Sequence, residues 1–123
     1  MNTQITQYCY LSITTGPRSG TNYMLEPERV SRLGRGIDCD VVLVDPLCSR
    51  VHAEVFYAED TWWVRDAGSR NGTYLDGEQI EGEQMELAPG SHIRTGSSEF
   101  TFHQSDQPPT VSFTRETQLT EDI

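Results

Sequence analysis

Apolar and β-branched residues in this chain recur at every second position in short runs, and nearly every run is closed by a glycine, proline or acid-rich turn. Side chains with that period line one face of a strand, whereas a helix needs a 3.6-residue repeat. No stretch carries a sustained helical repeat with capping residues. Residues 8–14 read as a strand, followed by a turn at 15–20 and short strands at 23–25 and 31–33. Residues 41–44 are apolar enough to form a buried strand. Residues 52–58 and 61–66 flank Glu59-Asp60 as a hairpin. Residues 73–75 and 78–80 flank Asp76-Gly77, a pair suited to a tight turn at positive φ. Runs at 83–87, 91–95 and 99–103 complete the series. Many short strands at regular turn spacing predict an all-β sandwich.

A length of 123 residues predicts one domain. Beyond residue 103 the composition shifts to Pro108-Pro109 with serines and threonines, so the expected division is a folded domain over 1–103 and a flexible tail or linker over 104–123. No window holds the roughly 18 apolar residues of a membrane span, and the N-terminus lacks a signal-peptide layout, so a cytoplasmic protein without membrane contact is expected. Cys9, Cys39 and Cys48 are odd in number and irregularly spaced. They suit half-buried apolar positions better than a disulfide framework, and neither a metal nor a cofactor is expected. The net charge of −10 disfavours nucleic acid, whose backbone demands a basic face. All nine basic residues are arginine, the side chain suited to bidentate phosphate contacts.

Three polar clusters interrupt the strand pattern: Gly34-Arg35, Ser49-Arg50-Val51-His52 and Ser69-Arg70-Asn71-Gly72-Thr73. Each should lie at a sheet edge or in a loop. Together they offer guanidinium groups, a hydroxyl, an amide and glycine-rich backbone, which can hold a dianionic phosphate and the peptide bonds beside it. A catalytic set is not evident. Cys48 or Ser49 with His52 gives a nucleophile and a base, but no acid orients them and no oxyanion motif accompanies them. Recognition without catalysis is the expectation.

Gly34-Arg35, Ser49-x-x-His52 and Asp66-x-x-Ser69-x-Asn71-Gly72-Thr73, in this order and spacing, resemble the forkhead-associated (FHA) domain over about residues 8–103. The resemblance implies an eleven-stranded β-sandwich of two twisted sheets that binds phosphothreonine peptides through loops at one end. It assigns phosphate contacts to Arg35, Ser49 and Arg50, and peptide contacts to Arg70 and Asn71. Leu47 matches a position that helps read the third residue after the phosphothreonine. Gly34, His52, Asp66, Gly72 and Thr73 are implied as structural support, His52 by bonding backbone between the binding loops. For single residues plainer roles stay open: a surface ion pair of Arg35 with Asp38 or Asp40, or turn stabilisation by Ser49 and Asn71.

The function implied is recognition of phosphothreonine-bearing protein segments downstream of a Ser/Thr kinase. The chain would be the N-terminal regulatory module of a larger signalling or transcription-regulating protein. A phosphate-independent interaction or self-association module is the alternative. Thr114, Thr117 and Thr120 make the chain's own tail a further candidate ligand, beside the reading of that tail as a linker.

Overall fold

The computed structural model describes residues 7–109. The tail threonines Thr114, Thr117 and Thr120 lie outside the described residues. Among the described residues there are eleven strands: β1 (Tyr8–Ile13), β2 (Asn22–Met24), β3 (Ser31–Gly34), β4 (Val41–Val42), β5 (Ala53–Ala58), β6 (Thr61–Asp66), β7 (Thr73–Leu75), β8 (Glu78–Gln79), β9 (Met85–Glu86), β10 (His92–Thr95) and β11 (Ser98–Ser105). They form a six-stranded sheet in the order β2-β1-β11-β10-β7-β8 and a five-stranded sheet in the order β4-β3-β5-β6-β9. Every pairing is antiparallel except β3 with β4.

The two-residue period becomes two inner faces. In β1, Cys9, Leu11 and Ile13 are buried while the intervening residues are half-exposed. Opposite Leu11 and Ile13 in the register stand Phe102 and Phe100, both fully buried. The five-stranded sheet contributes Leu33, Val55, Val64 and Trp62, and Trp62 meets Phe102 across the sandwich in a tilted aromatic pair. Burying each such side chain contributes about 1.5–3 kcal/mol, so these residues dominate the fold's stability.

Two expected elements differ in extent. The apolar run 41–44 pairs only at Val41–Val42, and Val44 is 92% exposed. The chain leaves the sheet there because Asp45 closes a turn on Leu47 and Cys48, described below. The last strand continues to Ser105, two residues past the end of the strand expected over 99–103, because Tyr8 and Cys9 pair with Ser105 and Gln104.

The antiparallel pairing of β3 with β5, and of β5 with β6, brings the end of β3, the start of β5 and the end of β6 to one rim. The three polar clusters lie in the loops at that rim.

Candidate functional site

A cleft of about 300 Å³ opens at this rim, lined by Arg35, Pro46, Leu47, Cys48, Ser49, Arg50, Arg70 and Asn71. All six residues expected to contact phosphate or peptide are therefore in one place. Close approach of the β3 end to the β4–β5 loop makes this possible. The Arg35 N–H donates to the Ser49 carbonyl at 3.0 Å and the Gly36 N–H to the Arg50 carbonyl at 2.9 Å. A Cβ on Gly34 would stand 2.2 Å from the Arg50 carbonyl oxygen, so this approach requires glycine.

Arg35 is aimed by its own Nε–H, which donates to the Cys48 carbonyl at 2.7 Å. Its two terminal nitrogens can then present a fork to an anion. Asn71 donates from Nδ2 to the Leu47 carbonyl at 2.9 Å, on an exposed loop. Ser49 Oγ accepts the Arg70 N–H at 3.0 Å, which leaves its hydroxyl proton to donate. Leu47, Arg50 and Arg70 are exposed, and Leu47 sets an apolar wall beside the cations.

Beneath the cleft, His52 is fully buried. Its Nδ1 accepts the Ser49 N–H at 3.1 Å, so Nε2 carries the ring proton and donates to the Gly72 carbonyl at 2.7 Å. One side chain thus fixes the distance between the second and third clusters. Asp66 holds the third cluster from below. Its carboxylate accepts from the Gly68 and Ser69 N–H groups and from the Ser69 and Thr73 hydroxyls. Burial pushes the Asp66 carboxyl up, but those donors outweigh it and hold it below the usual carboxylate range. Ser69 Oγ also accepts the Gly72 N–H at 2.8 Å. Gly72 sits at φ +87°, and a Cβ there would meet the Gln79 side chain at 2.6 Å.

Charge is distributed unevenly. Among the described residues, ion pairs engage Arg29 with Asp40, and Arg32 and Arg65 with Glu54. None uses a cleft arginine, so three cations converge at one rim of an acidic chain.

Sequence reasoning missed Pro46 and Cys48 as cleft-lining residues and Asp45 as a buried anchor. The Asp45-Pro46 pair is a turn-initiating signal that points to this segment. Cys48 is buried, with its Sγ–H donating to the Thr95 carbonyl at 3.1 Å. Burial, reinforced by the adjacent Asp45 carboxylate, pushes its thiol up to about 11.

A family model described as FHA domain matches residues 19–96. FhaB, an FHA domain-containing protein of Mycobacterium tuberculosis, is 34% identical over 89 residues, which are 72% of this chain and 56% of FhaB. The chain therefore spans a little over half of that relative's length. A domain solved in a structural and functional study of phosphothreonine-dependent FHA domain interactions superposes with a TM-score of 0.70 at 29% identity, covering 78% of this chain and 95% of that one. Mycobacterium tuberculosis EmbR, solved with a low-affinity phosphopeptide, gives a TM-score of 0.70 at 33% identity over 80% of this chain and 24% of its own. By sequence and by fold, this chain belongs to the FHA domain family.

Proposed function

We propose that this chain is a phosphopeptide-recognition module that binds phosphothreonine-containing protein segments made by a Ser/Thr kinase. The observation that carries the reading is the convergence of Arg35, Arg50 and Arg70 with Ser49 on one cleft, outside the ion pairs that engage other arginines. The phosphate, with a second pKa near 6, is largely dianionic at neutral pH. Arg35 makes the bidentate contact, Ser49 donates its hydroxyl, and Arg50 and Arg70 add cationic reach. Asn71 clamps the ligand backbone with its amide, and Leu47 reads an apolar residue further along the peptide. A threonine methyl fills the space between Ser49 and Asn71, favouring phosphothreonine over phosphoserine by about 10–200-fold.

Support for recognition over catalysis comes from the same geometry. Both ring nitrogens of His52 are committed to backbone, and the Cys48 thiol is buried and held protonated. The module acts in the cytoplasm as the regulatory part of a larger signalling or transcription-regulating protein, its recognition unit ending with β11 and the remainder serving as tail or linker. Among the described residues, no helix is long and apolar enough to cross a membrane.

Titration by calorimetry with one peptide in threonine, phosphothreonine and phosphoserine forms tests the reading. The phosphothreonine form is expected to bind, the phosphoserine form about 10–200-fold more weakly, and the unphosphorylated form not at all. A second reading, phosphate-independent docking, is favoured by Ile37 and Val44, two large apolar side chains that are 82% and 92% exposed. A partner complex that survives phosphatase treatment would select it.

A further inference from the structure

Asp45 stands outside the cleft, yet both side chains given the most specific tasks in it are aimed by the segment that Asp45 fixes. Asp45 as a whole is only 5% exposed. Oδ1 accepts the Leu47 N–H at 3.0 Å, and the Asp45 carbonyl accepts the Cys48 N–H at 2.9 Å. Those two residues are locked in place as a result, and their carbonyls point into the site. The Leu47 carbonyl holds Asn71 Nδ2 and the Cys48 carbonyl holds Arg35 Nε.

The other half of the Asp45 carboxylate faces the opposite sheet. Oδ2 accepts the Ser97 N–H at 3.0 Å and the Ser98 hydroxyl at 2.6 Å, while the Ser97 hydroxyl reaches Oδ1 at 3.2 Å. The Cys48 thiol lies within 3.4 Å of Oδ2. The β10–β11 turn packs close enough that a Cβ on Gly96 would come within 3.0 Å of both Oδ2 and the Leu47 backbone. A carboxylate with this many donors is a rigid joint, and displacing it by an ångström moves two ligand-facing groups together.

We infer that Asp45 is a positioning residue for phosphopeptide recognition: it hangs the Leu47–Cys48 backbone from the β10–β11 turn and through it sets the aim of Arg35 and Asn71. The inference rests on the assignment of those two residues to the ligand. It makes the turn Gly96-Ser97-Ser98, which lies outside the cleft lining, part of the determinants of affinity.

The experiment is a set of phosphothreonine-peptide titrations on Asp45→Asn, Ser98→Ala, Arg35→Ala and the double variant Asp45→Asn/Arg35→Ala, each with a melting curve and an NMR spectrum of backbone amides and the Arg35 Nε–H. Asn keeps one acceptor oxygen and replaces the other with a donor facing the Ser97 N–H. We expect Asp45→Asn to stay folded and bind about tenfold more weakly, with a shifted Arg35 Nε–H resonance. Ser98→Ala removes one donor and should show a smaller loss in the same direction. Because Asp45 acts through Arg35, the losses of the double variant should be less than additive. Additive losses, or unchanged affinity in a folded Asp45→Asn, overturn the inference. If Asp45→Asn does not fold, Ser98→Ala carries the test, and unchanged affinity and Arg35 resonance in that variant overturn it. If Arg35→Ala itself binds normally, the ligand assignment fails instead, which separates the two outcomes.

Discussion

Arg35 illustrates how a single side chain is prepared for one task. Its Nε–H is bound to the Cys48 carbonyl, so the guanidinium plane is fixed before a ligand arrives. Asp40, one of the acids that could have paired with Arg35, forms its ion pair with Arg29. We expect Arg35→Ala to cost about 1.5–3 kcal/mol of phosphopeptide binding, the scale of a charged hydrogen bond. That is a loss of about 10–150-fold in affinity by calorimetry. Arg35→Lys should recover only part of it, because an ammonium keeps the charge and lacks the fork. Gly34 is demanding for a different reason. Alanine there drives a methyl group into the Arg50 carbonyl, so Gly34→Ala should lower stability by about 1–3 kcal/mol and shift the melting midpoint with it. A melting curve that matches the parent would mean that the β3 end and the β4–β5 loop separate without cost. Cleft residues such as Arg35, Ser49 and Asn71 are legible in the sequence because their chemistry belongs to the residue type. Asp45 is not, because its role is created by Ser97 and Ser98, far along the chain.

At the scale of elements, local signals transferred and non-local ones did not. The β5–β6 hairpin could be read from Glu59-Asp60 because loop length and flanking alternation are local. The turn takes Glu59 to φ 55° and Asp60 to φ 63°, the left-handed region, without a glycine at either position. The β7–β8 turn solves the same problem with Asp76-Gly77. The placement of β3 between β4 and β5, with β4 parallel at the edge, depends on contacts between distant segments and has no local signature. The strand at 41–44 is shorter than its apolar run for a related reason: hydropathy continues through Val44, but the backbone turns toward Asp45. The strained hairpin yields a clean test. Glu59→Asn with Asp60→Gly should stabilise the domain by about 1 kcal/mol, since left-handed backbone costs an ordinary residue about that much. Phosphopeptide affinity should not change, because β5 and β6 run from this hairpin to the opposite rim where the cleft lies. An unchanged or lower melting midpoint would show that the left-handed strain at Glu59 and Asp60 is offset elsewhere.

For the whole molecule, two carboxylates stitch the sheets together at the cleft rim, and they set how folding and binding separate with pH. Asp45 ties the β4–β5 loop of one sheet to the β10–β11 turn of the other, and Asp66 ties the end of β6 to Thr73 of β7. Burial pushes each carboxyl up, but the hydrogen bonds from Ser98, Leu47 and Ser97 at Asp45, and from Ser69, Thr73 and Gly68 at Asp66, hold both below the usual carboxylate range. A carboxyl depressed in the folded state stabilises the fold fully above its unfolded value, and that stability is lost as pH falls through the folded value. The fold should therefore keep its melting midpoint from neutrality down to about pH 5 and weaken only in stronger acid. Binding responds earlier, since the ligand's phosphate takes up a proton near pH 6 and gives the cleft arginines one charge fewer to hold. Affinity measured by fluorescence anisotropy should fall between about pH 7 and 5 while circular dichroism stays constant. Asp45→Asn and Asp66→Asn should flatten the acid limb of the melting profile and leave the position of the binding transition where it was. If affinity instead holds from about pH 7 to 5 and falls only where secondary structure is lost in stronger acid, recognition of a phosphate dianion by Arg35, Arg50 and Arg70 is excluded.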